Sequence, residues 1–455
     1  MTASSSLSYT NGSKPKPHIL ACASPITGHT LPIINIVDQL IQRGYGVTFL
    51  AGWDFKDRIE SIGATFVGLA PFDMVAFKKE RSSCGSWPAR TTFAIRAFCI
   101  EPVRGRKEAL YAALEQAREA HPAEEVVILT ETFFLGDHPF FLGAELPRGF
   151  RRRPRSVNIH AVPYMIESQD MAPMGWGLIP EKTEEGRQFH RSLWEELRTD
   201  TFAEIIALQE KTLRELGGVR AKPGLPFTVL SVSADVTLQL CPPSLEFGIS
   251  DLHPRVRFVG ALKGRGLDKD CEYPSFWPDV TRGDRKVIVV TQGTVAVEYR
   301  HLLIPTLNAL AHRRDILVVA ILGKRGACLP TDVTIPPNTH VIDYLPYDAI
   351  LPYAAVFVMN AGYGGVIQGM LHGVPMVLAG GTEDKPEVAA RAEHAGIAFN
   401  LRTAKPEEEH IAQAVKLVLR HGRFKRRVLE VRQENEAMKT MDMIEGAILH
   451  MAEAE

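Results

Sequence analysis

The chain has 455 residues, 45% of them hydrophobic, with a formal net charge of −1. That is enough chain for two substantial cores, and the balanced charge excludes the electrostatic footprint of a nucleic-acid binder. Six cysteines (Cys22, Cys84, Cys99, Cys241, Cys271, Cys328) are scattered without metal-ligand spacing or close pairing, which points to a reducing compartment and away from zinc or disulfide scaffolds.

Residues 1–17 are rich in Ser, Thr, Asn, Lys and Pro and lack the apolar core of a signal peptide, so a disordered tail on a cytoplasmic protein is expected. No apolar run has bilayer length, residues 316–322 being among the longest, and no stable membrane insertion is expected. Strand-like segments at 18–23, 46–50, 65–68, 126–130 and 156–161 alternate with helical patterns at 31–42 and 101–120. This alternation predicts a parallel sheet covered on both faces. The basic run Arg151–Arg155 reads as a solvated loop. A long helical region at 184–216 and strands at 227–231, 236–240 and 256–259 close a first domain of residues 18–262. The segment 263–285 is dense in Gly, Asp, Lys, Arg and Pro and reads as a linker, its Asp268-Lys269-Asp270 as solvated charge. A second βα series follows over 286–435, through 286–291, 304–312, 316–322, 354–359, 366–372, 375–379 and 407–420. A last helical stretch runs from about residue 424 to the end. Two doubly wound domains place ligands at the carboxyl ends of their strands.

Two turns carry chemistry. The first strand ends in Ser24-Pro25-Ile26-Thr27-Gly28-His29-Thr30, followed by a helix with Pro32 in its first turn, so His29 stands at the carboxyl edge of strand one. A neutral imidazole there is suited to taking a proton from a hydroxyl. In the second domain, Asn360-Ala361-Gly362-Tyr363-Gly364-Gly365 separates a buried strand from a helix. Free N–H groups at a helix start, with glycines allowing close approach, suit a diphosphate. The loop Thr382-Glu383-Asp384-Lys385-Pro386-Glu387 brings groups able to grip sugar hydroxyls, and Lys385 could offset leaving-group charge without a metal. Neither a Walker A motif nor G-x-G-x-x-G occurs.

Three segments in order, ASPITGHTLPIINIVDQL, VVTQGTVAV and NAGYGGVIQGMLHGVPMVLAGGTEDKPEVAARAEHAG, give the chain a resemblance to the inverting, nucleotide-sugar-dependent family-one glycosyltransferases, most of all the macrolide type. The resemblance spans nearly the whole chain. It implies an α/β GT-B fold, two facing doubly wound Rossmann-like domains with a cleft between them, and a final helix, within 436–455, crossing back to the N-terminal domain. It makes His29 the general base, and Glu131 takes the place of the Asp that usually orients that base; Asp137 is the reserve candidate. On the donor side it implies roles for Gly28, for Thr294 on the β-phosphate and for the Gly362, Gly364 and Gly365 turn. Tyr344 replaces a tryptophan stacked on uracil, with the Leu345 backbone at the base edge. Asn360 replaces the histidine on the α-phosphate, Gln368 the glutamate on the ribose, and Asp384-Lys385 the usual Asp-Gln pair.

The expected reaction is transfer from a UDP-sugar co-substrate, UDP-glucose by resemblance, without metal or other cofactor. The acceptor is expected to be a small hydrophobic natural product such as a phenolic, polyketide or macrolide. Its pocket is expected from apolar loop residues of the first domain: Trp87, Phe93, Phe133, Phe134, Met165, Met171, Met174 and Trp176. A nucleotide-sugar epimerase of the same architecture and a catalytically silent binding relative are the alternatives.

Overall fold

A computed structural model describes residues 16–264, 272–293 and 298–453. The expected positions of the N-terminal tail before Lys16, of Asp268-Lys269-Asp270 and of Thr294 lie outside the described residues.

The N-terminal domain is built on β1 (His18–Cys22), β2 (Val47–Ala51), β3 (Thr65–Gly68), β4 (Val126–Glu131), β5 (Arg155–His160), β6 (Val236–Gln239) and β7 (Val256–Phe258). All pair parallel in the order β3-β2-β1-β4-β5-β6-β7. β1 is buried along its full length, as an apolar run in a sheet covered on both faces must be. The order reverses beside β1, and the register sets Cys22 against both Leu50 and Thr130. The segments leaving β1 and β4 therefore emerge side by side, at the switch point where ligands bind in such sheets.

The second domain repeats this with β8 (Lys286–Thr291), β9 (Ile316–Ile321), β10 (Thr339–Ile342), β11 (Ala354–Met359), β12 (Met376–Leu378) and β13 (Ala398–Asn400), in the order β10-β9-β8-β11-β12-β13. Thr291 pairs with Met359, so the segments after β8 and β11 are neighbours at the second switch point. Each sheet has an apolar cluster on either face: Ile19, Val37 and Leu129 against Leu20, Leu110 and Phe134 in the first, Val289, Phe357 and Met370 against Val290, Leu303 and Val415 in the second. Each such side chain contributes about 1.5–3 kcal/mol by burial.

The two domains are joined twice by the chain. Helix Thr440–Glu453 places Met441, Ile444 and Ile448 in the N-terminal core with Ile19 and Val127. Arg43 reaches its Asp442 at 2.8 Å and also pairs with Glu445. Asn435 brackets the backbone of Ala261, donating to its carbonyl at 3.0 Å and accepting from its N–H at 2.7 Å. Gly260 beside it has φ +80, and a Cβ there would meet Thr440 Oγ1 at 2.7 Å, so this close approach requires glycine.

Several elements differ from the sequence reading. Residues 227–231 are not a strand but lie in helix Pro226–Val232, where Pro226 opens the helix and Ser231 Oγ donates back to the Phe227 carbonyl. The region 184–216 is two helices, Glu184–Glu196 and Ala203–Glu215, parted by a wide turn at Leu197–Thr201. A short helix Trp277–Thr281 lies in the expected linker, with Val280 buried in the second domain's core. The helix that follows β11 begins at Tyr363 rather than residue 366. Within the basic run, Arg153 pairs with Asp235 at 2.6 Å and Arg152 with Glu125 at 3.0 Å. Among the described residues, no helix is long and apolar enough to cross a membrane.

Candidate active site

β1 and β4 deliver the two central side chains. Helix Thr27–Gln42 starts at the end of β1 with no side-chain cap, carrying Gly28 and His29 in its first turn. Glu131 is the last residue of β4. Its Oε1 lies 2.7 Å from His29 Nδ1, and the glutamate is 1% exposed against 20% for the histidine. The second carboxylate oxygen accepts from Ser24 Oγ at 2.6 Å and Ser24 N at 3.2 Å, while Oε1 also accepts from Phe133 N at 2.9 Å. Burial opposes ionisation of Glu131, but His29 and these donors outweigh it and hold the carboxyl below the usual range. A carboxylate so placed fixes the imidazole with Nδ1–H towards itself and Nε2 outward. Asp137, the reserve candidate, is elsewhere: it is buried, one oxygen lacks a partner, and burial raises its carboxyl to about 7.

His29 sits against an aromatic cluster. Its ring meets Phe133 edge-on at 4.8 Å and Phe98 at 6.2 Å, and Phe98 in turn packs on Phe72 and Phe77. Beside them is a cavity of about 670 Å³ lined by Pro25, Leu69, Phe72, Phe77, Phe93 and Arg106, among others. Of the residues expected to form an acceptor pocket, Phe93 lines this cavity. Phe134 does not: it is fully buried, in one cluster with Leu20 and Leu110. Met165 and Met171 are likewise buried. Trp87 packs on Gly175, where φ is +109 and a Cβ would lie 2.5 Å from the indole, while Met174 is half-buried and Trp176 exposed in the same loop. Aromatic composition alone does not tell an inward face from an outward one. Phe72, Phe77, Phe98 and Arg106 escaped the sequence reading because they carry no motif. Phe98 lies in a π-turn, Ile95–Ile100, which no periodicity announces.

In the second domain, helix Tyr363–Leu371 opens with Gly362 and no side-chain cap, leaving its first N–H groups available. Gly364 is exposed and a Cβ there would meet nothing within 4 Å, whereas Gly365 packs so tightly that a Cβ would lie 2.4 Å from Met359. Asn360 donates to the Gln292 carbonyl at 2.6 Å, so one of its amide donors is spent joining the two switch-point loops. Tyr344 is 39% exposed, and the Arg325 guanidinium lies over its ring at 4.6 Å. Leu345 is buried in the core, which leaves only its backbone for a ligand. Gln368 is half-buried on the helix face.

Asp384 is half-buried; burial raises its carboxyl, while Lys385 and, from the other domain, His29 pull the other way. Lys385 is already engaged by Glu383 and by Thr382 Oγ1 at 3.2 Å. Glu383 also accepts from Arg81 of the N-terminal domain at 2.9 Å. Burial would raise the Glu383 carboxyl, yet Lys385, Thr382 and Arg81 bring it down to about 2.

Helix Lys385–His394 is fastened to the N-terminal domain further along. Glu387 Oε1 accepts from Gly175 N at 3.0 Å and Gly177 N at 2.7 Å, and the buried Arg391 donates to Glu246 at 2.5 Å. Tyr363 OH accepts from Gln239 Nε2 at 3.0 Å across the same interface. Buried polar contacts thus join the two domains on one side of the cleft. His18, His121 and Glu124 form a separate group with metal-ligand atom types at the far end of the N-terminal sheet. The two imidazoles stack at 4.7 Å with planes 19° apart, so their ring planes do not converge on one ion.

Comparison with known proteins agrees with this architecture. Residues 306–449 match the family described as erythromycin biosynthesis protein CIII-like, C-terminal domain. The chain is 51% identical over 438 residues to UDP-glucosyltransferase 1 of Beauveria bassiana (strain ARSEF 2860), covering 95% of each chain. It is 36% identical over 449 residues to UDP-glucosyltransferase B1 of Starmerella bombicola, covering 96% of this chain and 99% of that one. The crystal structure of the glycotransferase of kitacinnamycin superposes with a TM-score of 0.73 at 21% identity, over 96% of this chain and 100% of that one. With near full-length relatives at this identity and two parallel-sheet domains enclosing a cleft, the chain belongs to the family-one glycosyltransferases of GT-B fold, and it is a glycosyltransferase.

Proposed function

We propose that the protein transfers glucose from UDP-glucose to a hydroxyl of a hydrophobic small-molecule acceptor, inverting the anomeric configuration. The observation that carries this reading is the contact between His29 Nδ1 and Glu131 Oε1 at 2.7 Å, beside an aromatic-walled cavity of about 670 Å³. UDP-glucose as donor is supported by the names of the two UDP-glucosyltransferases above.

In this reading the diphosphate lies against the uncapped start of helix Tyr363–Leu371, where backbone N–H groups and the helix dipole oppose its charge. The open space over Gly364 leaves room for phosphate oxygens. Uracil stacks on the exposed face of Tyr344 with its edge at the Leu345 backbone, Gln368 meets the ribose, and Asp384 takes sugar hydroxyls. The acceptor occupies the cavity beside Phe72, Phe77 and Phe93. His29 Nε2 removes its hydroxyl proton as the oxygen attacks the anomeric carbon. The bond to the β-phosphate oxygen breaks and UDP departs from the opposite face. Glu131 stabilises the imidazolium, and Ser24 and Phe133 N keep Glu131 charged for that purpose.

The test is incubation with UDP-glucose and a panel of phenols and aliphatic alcohols, with the product's anomeric configuration read by proton NMR. A β-glucoside from the α-linked donor is expected. An α-glucoside, or conversion of the nucleotide sugar without any acceptor, contradicts the reading, and binding without turnover marks a silent relative.

A further inference from the structure

Arg106 is a buried cation whose compensation among the described residues comes from the Glu131 carboxylate beyond ion-pairing distance and from the Phe98 ring, 5.3 Å from its guanidinium carbon. It lies in helix Val103–Ala120, is 4% exposed, and makes two hydrogen bonds, both from Nη1, to the carbonyls of Phe133 at 2.7 Å and Phe134 at 3.3 Å. Among the described residues no acid lies within ion-pairing distance of it. Its Nε and Nη2 make no hydrogen bond there, yet they are not among the buried polar atoms sealed from solvent. Arg106 is among the residues that line the aromatic-walled cavity. The other charged residues on that lining, Asp73, Glu80, Arg96 and Glu101, are all exposed and solvated at its rim. A guanidinium kept nine-tenths buried with free donors is costly unless something completes it. Its planar fork matches a carboxylate.

Resting on the proposed transferase reading, we propose that the acceptor carries a carboxylate, and that Arg106 binds it at the floor of the cavity while the acceptor's hydroxyl reaches His29. The geometry restricts the class further. Phe98 stands between the two ends, its ring 6.2 Å from the His29 ring and 5.3 Å from the Arg106 guanidinium carbon, and Phe133 touches both residues. The acceptor must pass these rings, so its hydroxyl lies several bonds from the acid across an apolar or aromatic spacer. An α-hydroxy acid is too short.

The test uses the full-length enzyme with UDP-glucose and para-hydroxyphenylpropanoic acid, its methyl ester and its primary amide. The acid is expected to be preferred over both by roughly 10- to 100-fold in kcat/KM, the scale of a charge-assisted hydrogen bond. In Arg106→Met that preference should fall to near one, with Arg106→Lys retaining part of it. Because Arg106 also braces the Phe133–Phe134 turn, a purely structural role would lower turnover of all three alike and leave the ratio in place, which overturns the proposal. Equal use of acid, ester and amide by the native enzyme also overturns it, while leaving the transferase reading intact. Should Arg106→Met fail to fold, or should no acceptor be glucosylated, calorimetric titration of the native enzyme with phenylpropanoate and its methyl ester still decides. The acid must bind at least about tenfold more tightly; equal binding rejects the subsite.

Discussion

Glu131 and His29, 102 positions apart in the chain, meet at 2.7 Å because β1 and β4 are adjacent in the sheet and end in register. The glutamate replaces a shorter aspartate at the position the resemblance marks, and its extra methylene is accommodated by the anchors at Ser24 and Phe133 N. Glu131→Gln keeps the size and removes the charge that stabilises the imidazolium. We expect kcat to fall by about 10²–10⁴-fold with little change in UDP affinity. Steady-state kinetics beside UDP titration measures both.

Asp137 gives the contrasting control. Its carboxyl is raised to about 7 in the fold by burial, against an ordinary value of 3.8. Both states hold the proton at acid pH, so its contribution is neutral there. As pH rises from about 4 to about 7, the unfolded chain ionises at this group while the fold does not, and stability declines before levelling off. Asp137→Asn should remove that decline, gaining up to a few kcal/mol at pH 8 relative to pH 4, with glucosyl transfer largely retained. Denaturant unfolding across pH tests it; a collapse in kcat would move the partner role from Glu131 to Asp137.

At the turn proposed to hold the diphosphate, Gly364 and Gly365 should separate binding from folding. Gly364→Val places its branch in open space, so the fold should survive while UDP binding weakens by roughly 100-fold or more through blocked backbone donors. Gly365→Val drives into Met359 and should lower thermal stability instead. Asn360→Ala loses a neutral hydrogen bond to the Gln292 carbonyl and should weaken UDP by only about 2- to 10-fold. Calorimetry with UDP and thermal melts resolve the three.

Arg81 reaches across the cleft mouth to Glu383, and both side chains are part exposed, at 25% and 39%. Pairs of this exposure contribute about 0–1 kcal/mol. Arg81→Met should therefore raise the KM for UDP-glucose by no more than about fivefold, and added salt should shrink the difference between variant and native enzyme.

Much of this was legible in the chain. The apolar runs at 286–291 and 354–359 became β8 and β11, and the glycines between Asn360 and Gly365 became an uncapped helix start. Short edge strands such as Thr339–Ile342 and Ala398–Asn400 were not, because three or four residues carry too little alternation to read. Nor does local sequence say that Phe134 turns into the core while Phe133, one residue earlier, meets His29, since adjacent residues in a turn need not follow strand alternation. The contacts that join the two domains, Arg391 with Glu246 and Tyr363 with Gln239, link residues more than a hundred positions apart and follow only from the fold.

The central claim is that His29 is the base that activates the acceptor hydroxyl. It is tested most directly by single-turnover glucosyl transfer to a weakly acidic aliphatic alcohol in His29→Ala, with UDP binding measured on the same preparation. The account predicts transfer slowed by roughly two to four orders of magnitude and UDP affinity within about twofold of native, since His29 belongs to the N-terminal domain and the Gly364 turn to the other. Transfer at the native rate, with UDP bound as before, would contradict it.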